Sequence, residues 1–138
     1  MQRKEREGMM RDYQRQKGNK YLLPRTLYHQ TIWQIREYYR LKSQVDAILE
    51  ESPSPPDGQP HGTGIGDEVA CKVIRRENKM SVIKVIEKEK NAIPKEYRDG
   101  VWDNIQFGAP YPMDADRTTY GRYKSRFVYN IAKGLYLL

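Results

Sequence analysis

The sequence predicts an all-α protein, and three observations lead there. Apolar residues recur at helical spacings of three and four along most of the 138 residues. The β-branched residues sit at those same spacings, so no period-two strand pattern survives. Clusters of Pro and Gly fall between the periodic stretches, where they end one helix and free the next to turn back. The implied architecture is a long antiparallel helical hairpin followed by a C-terminal helix pair resembling a helix-turn-helix. No internal repeat is present.

Residues 1–20, "MQRKEREGMMRDYQRQKGNK", are polar, contain Gly8 and Gly18, and hold few side chains able to build a core. They are expected to form a flexible basic arm.

The hairpin is expected over residues 21–93. Pro24 suits the first turn of a helix that runs to Glu51. Tyr28, Ile32, Ile35 and Tyr39 share one of its faces, and Tyr38, Leu41, Val45 and Ile48 share an adjacent one. A surface that broad needs more than one neighbour. Four prolines and four glycines between Ser52 and Gly66 make a mobile connecting loop at 52–66. Its "GTGIG" lacks the Lys-Ser/Thr and the preceding strand of a phosphate-binding loop. Asp67 can cap a second helix reaching about Ile93, with Val69, Val73, Met80 and Ile83 as its stripe, drifting to Ile86 and Ile93. The mixed charge of "RRENK" and "EKEK" marks its solvated side.

Residues 94–138 form the C-terminal pair. Pro94 opens "PKEYRDGVWDNIQF", whose apolar side is Tyr97, Val101 and Ile105 with Trp102 beside them. Both Trp33 and Trp102 lie on or beside an apolar stripe and are expected to be at least half buried. "GAPYPMDAD" is a turn, and Asp114 or Asp116 can cap the last helix. Projected at about 100° per residue, Tyr120, Tyr123, Phe127, Ile131, Gly134, Leu135 and Leu138 gather on one side. Thr118, Arg122, Ser125, Arg126, Tyr129 and Lys133 gather on the other.

Charge sharpens the functional reading. The chain is +7, and residues 117–138 hold five basic residues and no acid. An acidic partner is therefore expected, nucleic acid ahead of anionic membrane. A carboxylate on the outer side of the last helix would face the phosphate backbone of DNA, which explains the missing acids. Arg, Thr, Ser, Tyr and Lys are the residue types that reach base edges and phosphates. The same face could also be merely solvated.

Other classes find less support. The single cysteine, Cys71, excludes an intrachain disulfide framework and a Cys-based zinc site, and is expected to be a buried, inert thiol. No apolar run approaches the ~20 residues that span a bilayer, and the charged N-terminus lacks a secretory h-region. Paired carboxylates, a metal cluster and a nucleophile arrangement are all missing, so neither an enzyme nor a cofactor is expected.

The segments "IPKEYRDGVWDNI" and "DRTTYGRYKSRFVYNIAKGL" together resemble the C-terminal part of phage and prophage late-gene transcriptional activators of the RinA and ArpU type. More distantly they are similar to region 4 of sigma factors. The similarity rests on the "IP-E-R" helix start and on Thr119, Lys124, Ser125, Arg126, Ala132 and Leu135 in the following helix. "IGDEVACKVIRRE" resembles a segment upstream of that domain, and the whole covers roughly residues 67–138. It implies a regulator in a bacterial host's cytoplasm that recognises double-stranded DNA near phage promoters and contacts RNA polymerase. Thr118, Thr119, Arg122, Ser125, Arg126, Tyr129 and Lys133 are then the candidate DNA-binding residues. The departure is "GAPYPMDAD", where sigma region 4 has a full scaffold helix. Two alternatives stay open: a small terminase subunit that marks phage DNA for packaging and homo-oligomerises through the hairpin, and a helical protein-interaction adaptor.

Overall fold

The computed structural model of the protein describes residue 14, residues 16–50 and residues 64–138, and its regular structure is all helical. The helices are α1 (Arg25–Arg36), α2 (Tyr38–Glu50), α3 (Gly64–Ala92), α4 (Lys95–Phe107) and α5 (Arg117–Gly134). Most of the expected arm at 1–20 and of the loop at 52–66 lies outside the described residues. Gly64, Ile65 and Gly66 are helical, so α3 starts before Asp67, which is not its cap.

The helix expected over 24–51 is two helices. Glu37 interrupts it, with its N–H donating to the carbonyls of Trp33 and Gln34 at 3.2 Å each. The chain divides at this residue: of the described residues, those up to 37 and from 85 onward form one compact unit, and those within 38–84 the other. This corrects the expectation that residues 21–93 form one hairpin. The physical reason lies in the two stripes. Tyr28, Ile32 and Ile35 are buried against α4 and α5, whereas Tyr38, Leu41 and Val45 are buried on α2. Tyr39, placed by spacing on the first stripe, is half exposed.

In the smaller unit, α2 and α3 meet where Lys79 Nζ donates to Gln44 Oε1 at 2.8 Å, and Ile83 is buried. Val69 and Val73, expected in the stripe, are about half exposed, as is Ile74, and Cys71 is exposed rather than buried. Length explains both corrections. The 13 residues of α2 span about 20 Å, and the 29 of α3 about 43 Å, so α2 cannot cover it.

The larger unit packs α1, α4 and α5 around Ile32, Ile35, Ile86, Val101, Trp102, Ile105, Phe127, Val128 and Ile131. Each such aliphatic side chain contributes roughly 1.5–3 kcal/mol relative to exposure. Thr31 is fully buried inside α1, its hydroxyl satisfied by the Leu27 carbonyl at 2.8 Å. Two reciprocal bonds tie α1 to α4: Arg36 Nε to the Ile105 carbonyl (2.8 Å) and Gln106 Nε2 to the Ile35 carbonyl (2.7 Å). Trp102 is buried as expected, under the Lys90 ammonium. Trp33 is not: it is 63 % exposed, with the Arg36 guanidinium over its ring. It occupies the outer edge of α1, whose inner face is already filled by Ile32 and Ile35.

Helix ends follow local chemistry. Gly108 closes α4 in the left-handed region (φ 67°), and its N–H and that of Ala109 return to the Asn104 and Asp103 carbonyls. Asp116 caps α5, accepting from the Thr118 N–H at 3.3 Å. Arg98 and Arg126 donate to the Asn91, Ala92 and Ile93 carbonyls, supplying positive charge where the α3 dipole is negative.

Candidate nucleic-acid interface on the last helix

The turn between α4 and α5 is fixed by one side chain. Asn104 accepts from Lys124 Nζ on α5 and donates to the Ala109 carbonyl, both at 2.8 Å. One amide thus joins α4, the loop and α5. The loop is then covered by aromatic rings. Tyr111 stacks on Tyr120 (5.1 Å, 9°), Tyr97 meets Tyr120 edge-on (5.4 Å), and Tyr97 stacks on Tyr123 (5.0 Å). The Tyr120 hydroxyl donates to Asp114.

Both phenols, Tyr111 in the loop and Tyr120 in the first turn of α5, are held neutral. Burial pushes Tyr111 up to about 12, against the lowering pull of Arg117. The hydrogen bond to Asp114, then burial and the charges of Asp114 and Tyr97, push Tyr120 up to about 12. At neutral pH they are packing groups.

These contacts rotate α5 relative to the docking expected from its sequence. The buried arc is Tyr120, Lys124, Ser125, Phe127, Val128, Ile131 and Ala132. Its centre lies about 60° from that of the expected set. Lys124, Ser125, Val128 and Ala132 enter the interior, while Tyr123 is only half buried and Gly134 is exposed.

The candidate residues consequently separate. Thr118, Arg122 and Lys133 are exposed, and Thr119 is half exposed. Ser125 is only 7 % exposed and accepts from Asn19 Nδ2 at 3.3 Å, which corrects its placement on the outer side. Arg126 is half exposed, donating to the Ala92 carbonyl with its guanidinium over Tyr123. Tyr129 is half exposed and packs on Tyr21, with centroids 5.4 Å apart. Arg122, Lys133 and Arg126 therefore occupy the centre of the outward arc.

Asn19, Tyr21, Asn104 and Lys124 escaped the sequence reading as organisers of this surface. Asn19 and Ser125 are 106 residues apart, and no periodicity connects them. Lys124 carried a signal in retrospect: it lies three residues from Phe127 and four from Tyr120, on the core side.

A groove of about 980 Å³ runs beside the α4–α5 loop, with Lys124, Ser125 and Asn104 at its floor and Arg117 and Met113 at its rim. A second cleft of about 270 Å³ lies between residues 18–21 and Arg122 with Ser125. Among the described residues no three His, Cys, Asp or Glu side chains gather as a metal site, and no helix is long and apolar enough to cross a membrane.

The fold and this surface define an all-α protein with a basic outer helix face. Compared with protein families, characterised proteins and solved structures, the chain matches none.

Proposed function

We propose that the protein binds duplex DNA through the outer face of α5 and acts as a phage-type transcriptional regulator. The observation that carries this reading is the outward arc of α5. Arg122, Arg126 and Lys133 lie along it, Thr118 and Thr119 flank it, and no acid interrupts it. Its inner face packs on both α1 and α4. A helix supported from behind by two others, with its cationic side turned outward, fits the way a recognition helix enters a major groove. RNA polymerase contact belongs to the same proposal, resting on the resemblance alone.

Arg122, nearer the helix N-terminus, is the candidate for base readout; Lys133 lies three turns further on and would meet phosphate. Arg122→Ala should cost about 1–3 kcal/mol on the cognate site and relax specificity there. Lys133→Ala should weaken all sequences alike and flatten the salt dependence. Anisotropy titrations with labelled duplexes at several salt concentrations test this, and parental binding by both variants would leave the basic face merely solvated.

The small-terminase reading has its own support. Val69, Val73 and Ile74 are about half exposed on α3, an apolar surface that self-association would cover. Light-scattering mass separates the two: a ring of many copies favours packaging, a monomer or dimer the regulator.

A further inference from the structure

The chain holds two long stretches without a single acid. One is residues 117–138, which include α5; the other is residues 13–36, with Arg15, Lys17, Lys20, Arg25 and Arg36. Each carries five basic residues, ten together in a chain whose net charge is +7. The fold brings them into contact: a strap at residues 16–21 lies along the outer edge of α5.

The strap is built rather than draped. Gly18 takes the left-handed conformation (φ 68°) that turns the chain. Asn19 Oδ1 accepts from the Tyr21 N–H at 2.9 Å, closing an Asx turn. The same amide donates to Ser125, and the Tyr21 ring rests on Tyr129 with the Lys20 ammonium 5.2 Å from its centre. Between strap and helix is the 270 Å³ cleft, with Lys20 on one wall and Arg122 on the other. It has room for a phosphate group, and it is the charge that favours one, since a phosphate there would fall between two cations with no carboxylate in either segment.

We propose that this cleft binds a phosphate group, and that the strap and α5 together form a two-part DNA interface in which the cleft grips one backbone phosphate. The second half of that statement rests on the DNA-binding reading; the first does not. The strap's turn is already fixed in place, so little ordering is left for binding to impose. Ser125 then acts by positioning: it holds Asn19, which holds the strap, and touches no base.

The experiment uses the full chain in three arms. The first is anisotropy with a labelled duplex at several salt concentrations for the parent, Lys20→Ala, Asn19→Ala, Ser125→Ala and the Lys20→Ala/Ser125→Ala pair. The second follows the backbone amides of residues 18–21 and 122 by NMR during titration with inorganic phosphate. The third is circular dichroism on each variant, to establish that it is folded.

Lys20→Ala should weaken duplex binding several-fold and reduce the salt slope by about 0.9, the contribution of one phosphate. Asn19→Ala and Ser125→Ala should weaken it while moving the strap amides. Adding Ser125→Ala to Lys20→Ala should cost little more, because both act through one contact. Full additivity would make Ser125 a direct contact and overturn its positioning role. Duplex binding unchanged by Lys20→Ala and Asn19→Ala would overturn the two-part interface while leaving α5 as the DNA site. No duplex binding by the parent, but phosphate shifts at residues 18–21 and 122, would sink the DNA reading and keep the cleft as a free-phosphate site. Silence in both arms removes both.

Discussion

Lys124 is 5 % exposed, and its ammonium donates to the side-chain oxygen of Asn104 at 2.8 Å. The two partners are not equivalent. Asn104 also holds the Ala109 carbonyl, so Asn104→Ala removes two bonds and strips a buried cation of an acceptor. It should cost about 2–4 kcal/mol. Lys124→Met keeps the apolar stem and removes the charge, and should cost clearly less. Chemical denaturation of both variants checks the order, and the reverse order would mean that the charge itself stabilises the loop.

Two glycines in the same region should respond oppositely to alanine. A Cβ at Gly100 would lie 2.6 Å from the Tyr120 ring and 2.9 Å from Pro112 Cδ, and Tyr120 is fully buried with no room to yield. Overpacking of this kind costs about 1–3 kcal/mol, which exceeds or matches the ~1 kcal/mol that alanine adds in helix propensity. Gly121 has nothing within 4 Å of the added atom and keeps the full propensity gain. Thermal melts should show Gly121→Ala raised by a few degrees and Gly100→Ala lowered. Equal rises would mean that Tyr120 relaxes freely.

Tyr120 gives the fold an alkaline weakness. Its folded pKa, raised to about 12, lies above the ordinary tyrosine value of 10.0. Between those values the folded state keeps a proton that the unfolded chain releases, so stability is complete below pH 10 and falls as pH rises towards 12. Tyr120→Phe removes the hydroxyl and its bond to Asp114. The variant should be about 1 kcal/mol less stable at pH 7 and less sensitive between pH 10 and 12. Parallel parent and variant pH profiles would show that the hydroxyl does not titrate with folding.

The two tryptophans should report separately. Trp33, 63 % exposed, should emit to the red and be quenched by acrylamide; Trp102, 3 % exposed, should emit to the blue and resist. Trp33→Phe should then leave a blue, protected spectrum with stability changed by less than about 0.5 kcal/mol. Trp102→Ala should cost about 3–5 kcal/mol. A quenchable spectrum in Trp33→Phe would contradict the burial of Trp102.

The helices themselves were legible in the sequence because their signals are local. Pro24, Pro94, Gly108 and Asp116 mark ends through the chemistry of a few neighbouring bonds, and spacings of three and four mark faces. The same locality explains the failures. Spacing put Tyr28 and Tyr39 on one stripe, but a single residue of altered geometry at Glu37 ends one helix and starts another. Trp33 shows that proximity to a stripe is not burial, since a neighbour must be there to cover it.

For the candidate interface, the sequence by itself determined the charge: an acid-free last helix with Arg122, Arg126 and Lys133 at spacings of one and two turns, fixed by composition and helical period. Which of its residues face outward was decided only by tertiary structure. The rotation of α5 depends on Asn104 receiving Lys124 and on Tyr120 fitting against Gly100, contacts between residues far apart in the chain. A helix period carries no information about where a partner helix will lie. The same contacts took Ser125 from the outward side and gave it to Asn19, and in doing so brought the two acid-free stretches together.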